Sequence, residues 1–198
     1  MPESATGPFI GGKRRDAKTN VEIRSPYDAT LVGEVGLGDA SDLELATSGA
    51  ASAFKAWSRS STHERALVLE KLALSIEAEQ TALATLISRE SGKPIRYAKA
   101  EVARAVSTFR LGSAEARVLG GEVLPSDQLP GADGRLTLFR RVARGPVAGI
   151  SPFNFPLNLV AHKLAPALAV GCPLVLKPAP QAPLTAHRLA ELAALAGA

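Results

Sequence analysis

The sequence is short of most features that place a chain in a class on composition alone. One cysteine, Cys172, stands among 198 residues, so no internal disulfide framework exists. No run of 18 apolar residues is present to cross a membrane. Met1 to Ile10 lacks a basic stretch followed by an apolar one, so no export signal is read there and a cytoplasmic setting is expected. Aromatics make up only 5% of the chain, and 23 basic against 19 acidic residues leave a net charge of +4 without a one-signed face. The single basic run, Lys13-Arg14-Arg15, is interrupted by Asp16. A nucleic-acid surface needs a sustained basic face or interleaved aromatics, so none is expected. His63, His162 and His187 have no second ligand at metal spacing, so no metal is expected. Gly145, Gly149 and Gly171 do not form the GxGxxG loop that cradles phosphates.

What is present is a globular composition, 46% hydrophobic and 21% charged. Short strands are expected at Phe9-Ile10, Val21 to Ile23 and Leu31 to Val35, with a turn at Gly11-Gly12. Asp39 or Ser41 caps a helix whose apolar positions 43, 46, 50, 53, 54 and 57 fall at helical spacing. A second helix fits 63–78, with Val68, Leu69, Leu72 and Ile76 on one face. A third fits 80–90 and stops at Ser91-Gly92-Lys93-Pro94. A fourth spans 95–118, with Ile95, Ala98, Val102, Val106, Phe109 and Ala116 in register. Gly120-Gly121 and Pro125 to Gly134 read as a linker or hairpin loop, and Leu136 to Val142 as an exposed strand with Arg140 and Arg141 marking an edge.

Pro146 to Ile150 and Leu174 to Leu176 read as short buried strands. Helices are expected at 157–170, kinked at Pro166, and at 184–195 after Pro183. Strand, helix, strand, helix is a βαβα unit of a parallel sheet. The fold class is α/β: an N-terminal helical region followed by the start of a Rossmann-like sheet. Residues 1–124 form the strands and helices, 125–144 a loop and strand, and 145–198 the βαβα part.

Chemistry concentrates in Ser151-Pro152-Phe153-Asn154-Phe155-Pro156. The two prolines exclude ordinary helix and central strand, leaving a rigid turn with one amide in an apolar wall. Asn154 is either a donor for developing negative charge or a turn asparagine bonded to its own backbone. Lys177 ends a strand where doubly wound folds bind nucleotides, and is either a ligand for ribose or phosphate or a solvated lysine. Lys163 points to the same cavity or to the surface. His162 reads as structural. Cys172 has neither an activating base nor a helix N-terminus in sequence, and reads as a small semi-buried residue.

Gly145 to Leu157, Lys163 to Ala169, Lys177-Pro178 and Glu90-Ser91-Gly92-Lys93-Pro94 occur in the order and spacing of the aldehyde dehydrogenase superfamily, which this chain resembles from about residue 9 onward. The resemblance implies that family's α/β fold, seen in part. It also implies oxidation of a small-molecule aldehyde to a carboxylic acid through a thioester, with NADP or NAD as cofactor. Asn154 matches the side-chain donor of the oxyanion hole. Ile150, Ser151, Pro152 and Phe153 match residues lining the cofactor site. Lys177 matches the lysine that bonds the adenosine ribose, with Ala179 and Pro180 beside it, and Lys163 matches a lysine near the proton pathway. Phe155, Asn158 and Leu159 are candidates for the aldehyde entrance. Leu136 to Val142 resembles one half of an oligomerisation strand pair, so a homo-oligomer (dimer or tetramer) is expected of the full-length protein.

Two departures stand out. Many NAD-preferring members carry a glutamate three residues after the lysine, and Pro180 stands there instead, which removes repulsion of a 2′-phosphate. The family's nucleophilic cysteine, its general-base glutamate and a glycine-rich turn near the pyrophosphate would all follow Ala198. The chain is therefore expected to be an N-terminal part of an enzyme subunit, inactive alone. The alternative is a natural, truncated, non-catalytic module for cofactor or subunit binding.

Overall fold

The computed structural model describes residues 3–5 and 7–198. Met1, Pro2 and Thr6, where the reading for an export signal begins, lie outside the described residues. The first strands are β1 (Glu3–Ala5), β2 (Phe9–Ile10), β3 (Lys13–Arg14), β4 (Asn20–Arg24) and β5 (Leu31–Gly36). β5 lies between β1, which is parallel to it, and β4, which is antiparallel. β2 and β3 form a separate small hairpin across Gly11-Gly12.

Four helices follow. In α1 (Ala40–Trp57), Asp39 is the cap: its carboxylate accepts from the Ser41 and Asp42 amides while Asp42 reaches back to the Asp39 amide. The buried face differs from the expected one. Leu43 and Ala53 face outward, and the inward line is Asp42, Ala46, Ala50, Phe54 and Trp57. Asp42 is drawn in by the capping box and by Arg15 Nε at 2.8 Å. α2 (Thr62–Ala78) starts on a Ser61/Glu64 capping box and buries Ala66, Leu69, Leu72, Ala73 and Ile76. α3 (Gln80–Ser91) ends at Gly92, whose φ of +71° is left-handed. A Cβ there would also come within 2.8 Å of Pro26 Cγ, so conformation and space both demand glycine. α4 (Ile95–Val118) has the expected bounds, except that Ile95 is exposed.

β6 (Gly121–Leu124) pairs antiparallel with β7 (Thr137–Arg140). All eight residues are exposed. The stretch from Gly120 reads as a turn in sequence, yet Gly121 opens a strand. Its Cα lies so close to β7 that a Cβ would fall 1.7 Å from the Phe139 carbonyl oxygen.

β8 (Val147–Ile150) and β9 (Leu174–Lys177) are parallel and in register, joined through α5 (Asn158–Ala169). α6 (Leu184–Ala196) follows. Within these 198 residues the pair is less covered than its apolar run suggests. In β8 only Gly149 is buried, and β9 is half-buried with Lys177 exposed. Each has only the other as a strand neighbour among the described residues. Pro166 sits inside α5, which continues to Ala169.

One apolar core gathers α2, α3, α4, α5 and α6, from Ala66 to Ala196, around Leu69, Leu72, Phe109, Leu157 and Leu189. A smaller cluster of Ile23, Val32, Val35, Leu86 and Leu184 ties the first sheet to α3 and α6. No helix among the described residues is long and apolar enough to cross a membrane.

Candidate active site

The parallel register opposes Ile150 to Lys177, and the Ser151 amide donates to the Lys177 carbonyl at 3.1 Å. Ile150, Ser151 and Lys177 therefore meet at the carboxyl ends of β8 and β9, where open α/β sheets bind ligands, and Pro152, Phe153 and Asn154 lie on the turn that follows β8. Ile150 is 72% exposed and Phe153 54%. Pro152, Asn154, Lys177 and Pro180 are exposed, whereas Ser151 and Ala179 are buried and contribute wall and backbone.

The turn bearing Asn154 is held from behind. Glu101 of α4 is 1% exposed. Its Oε1 accepts from the amides of Leu157 at 2.9 Å and Asn158 at 3.1 Å, which caps the first turn of α5. Its Oε2 pairs with Lys93. Lys93 Nζ also donates to the Asn154 carbonyl at 2.8 Å and lies 4.0 Å from the centre of the Phe155 ring. The Arg104 guanidinium stands 5.4 Å from the same ring. Backbone and ring are thus both fixed around an asparagine whose side of the turn is open.

The Lys177 side has a parallel arrangement. Glu90 of α3, 2% exposed, accepts from the amides of Leu184 at 2.8 Å and Thr185 at 3.1 Å and from the Thr185 hydroxyl. Burial pushes its carboxyl up to about 7, against the lowering pull of those three donors.

Lys93, Glu101, Glu90 and Thr185 carry no role in the sequence reading. A signal for the two glutamates exists there. Glu101 stands in the apolar register of Ala98, Val102 and Ala105, and Glu90 stands in that of Leu83, Leu86 and Ile87. A carboxylate on a core stripe needs a buried partner.

Other candidates move. Asn158 is fully buried, with both amide atoms unpartnered among the described residues, so it does not face an aldehyde entrance. Lys163 lays its stem across β8, where a Cβ on Gly149 would be 3.4 Å from its Cδ. Its Nζ turns back to the Leu159 carbonyl at 3.2 Å. His162 is exposed and Cys172 is buried. No metal-type cluster occurs among the described residues.

The fit to a dinucleotide is one-sided. The exposed apolar surface of Ile150, in register with Lys177, and the exposed ring of Phe153 on the turn beyond it are surfaces of the kind that a base and a ribose pack against. The N-terminal amides of α5 and α6 are the usual pyrophosphate cradle, and here carboxylates already occupy them.

The profile of the aldehyde dehydrogenase family matches residues 13–198. Aspartate-semialdehyde dehydrogenase 1 of Pseudomonas canavaninivorans is 41% identical over 182 residues, which are 90% of this chain and 38% of that protein. Aldehyde dehydrogenase 21 of Physcomitrella patens, solved with succinate, superposes with a TM-score of 0.93 at 36% identity, covering 98% of this chain and 40% of that one. The NADP-dependent glyceraldehyde-3-phosphate dehydrogenase of Bacillus halodurans, solved with NADP, gives 0.93 at 33% identity over 98% and 41%. The chain spans about two fifths of the length of these relatives.

Proposed function

The chain belongs to the aldehyde dehydrogenase family, and on that basis we propose that its protein oxidises an aldehyde to a carboxylic acid, consuming water and reducing NADP or NAD. The observation that carries this reading is Asn154, an exposed amide on a turn fixed from behind by Lys93 and Glu101. A donor stabilises a developing oxyanion only if it is in place before the charge forms.

In this reading Asn154 Nδ2 donates to the aldehyde oxygen as it takes up charge. Ile150, Ser151, Pro152 and Phe153 wall the cofactor, and the Lys177 ammonium bonds the adenosine ribose, with Ala179 and Pro180 shaping the loop beside it. When bound, the nicotinamide supplies the acceptor for the aldehyde's hydride. Thioester chemistry needs an accessible thiolate, and Cys172 is buried. The nucleophile and general base are therefore assigned to other residues of the full-length protein, and these 198 residues alone are inactive. Residues 1–124 and 145–198 form the cofactor-binding domain, and 125–144 complete a hairpin whose exposed strands suit a homo-oligomer. No nucleic acid or membrane takes part, and the setting is cytoplasmic.

Asn154→Ala in the full-length protein is expected to lower turnover by about 10²–10³-fold and leave cofactor affinity in place. Unchanged turnover removes the oxyanion role. Pro180 leaves no carboxylate at that position to repel a 2′-phosphate, so NADP is accepted. Titration of both cofactors checks this: tight NAD with rejected NADP refutes it.

A further inference from the structure

We propose that the Lys93–Glu101 pair is a positioning device for Asn154, coupling the helical layer to the catalytic turn; the inference rests on the oxyanion reading above. Lys93 belongs to the segment Glu90-Ser91-Gly92-Lys93-Pro94, which the proposed chemistry otherwise leaves without a use. Its ammonium meets three groups at once: the Glu101 carboxylate, the Asn154 carbonyl at 2.8 Å and the face of Phe155 at 4.0 Å. Glu101, itself fully enclosed, spends its other oxygen on the amides of Leu157 and Asn158. One ion pair therefore grips the backbone on both sides of Phe155, immediately after the amide that must be aimed.

Neither residue touches the reacting atoms. Their effect passes through the position of Asn154, because the Asn154 carbonyl and its side chain share one Cα. The geometry around Lys93 is built to keep it there. Gly92 packs against Pro26, Pro94 starts α4 directly after it, and the lysine side chain is only 14% exposed. A lysine serving only to balance Glu101 would not also need the turn's carbonyl and ring.

The test is a double-mutant cycle on the full-length protein, reading kcat, cofactor Kd and thermal midpoint for Lys93→Met, Asn154→Ala and the double variant. A misplacement of about 1 Å costs up to about 10²-fold, so Lys93→Met is expected to lower kcat by about 10-fold or more with cofactor Kd within about twofold. In the Asn154→Ala background the same change lowers kcat no further, because the amide it aims is gone. If Lys93→Met does not fold, Lys93→Met/Glu101→Gln replaces it in the same cycle, since it removes the ammonium without leaving a buried carboxylate unpaired. If Asn154→Ala lowers kcat but the Lys93 variant costs the same factor in both backgrounds, or costs nothing, positioning is overturned and the oxyanion reading stands. If Asn154→Ala leaves kcat unchanged, the oxyanion reading fails and this inference falls with it.

Discussion

Glu101 and Glu90 occupy matching places with different company. Each is a buried carboxylate on the apolar stripe of a helix, and each closes the N-terminus of a helix that follows a strand end. Glu101 at α5 has a cation, Lys93, which extends the contact to the turn beneath the site. Glu90 at α6 has no salt bridge among the described residues. It relies on two amides and the Thr185 hydroxyl, and burial lifts its carboxyl to about 7. The cap on the Asn154 side is thus an ion pair, and the cap on the Lys177 side is a carboxyl that titrates near neutrality.

The sharpest way to break the comparison is to remove Glu101. Glu101→Ala leaves a largely buried ammonium and two orphaned amides, so urea unfolding is expected to show a loss of about 3–5 kcal/mol. A loss below about 1 kcal/mol would make the two caps equivalent. The next effect is on pH. Between the ordinary carboxylate range and about 7, folded Glu90 keeps a proton that the unfolded chain has released. Its contribution is full below that range and is lost as pH rises through about 7, by at most about 3 kcal/mol. Unfolding midpoints of the native protein and Glu90→Gln from pH 5 to 8.5 check this, because the glutamine variant lacks the step. The smallest effect is that of Thr185→Val, about 1 kcal/mol. Thr185 is the strongest group lowering the Glu90 carboxyl, so its loss also moves the pH step upward. A step that stays in place would mean that the hydroxyl does not govern the titration.

Local punctuation made much of this fold legible. α4 begins where the sequence places it because Gly92 stops one helix and Pro94 starts the next, and α1 begins after Asp39 because a carboxylate there satisfies free amides. The Asn154 turn and Lys177 were likewise readable, since prolines fix the turn and a strand length fixes the lysine. β6 was hidden because a glycine chosen for close strand approach looks the same as one chosen for a turn. The exposure of β8 could not be read from its apolar run, because a run states what a strand tolerates, and among the described residues only β9 lies beside it. Lys93 and Glu101 were hidden for a different reason. Their partners lie 61 and 56 residues away, beyond any local pattern.

Those separations also set an order in time. Glu101 meets Leu157 across 56 residues and Glu90 meets Thr185 across 95. At ribosomal rates of about 5–20 residues per second, α4 waits about 3–11 s for the turn that Glu101 closes, and α3 waits about 5–20 s for α6. Throughout that interval the nascent helices carry two acids on faces destined for the interior, before the amides that will pair with them exist. Synthesis therefore supplies the partners of the Asn154 turn first and those of the helix after Lys177 second.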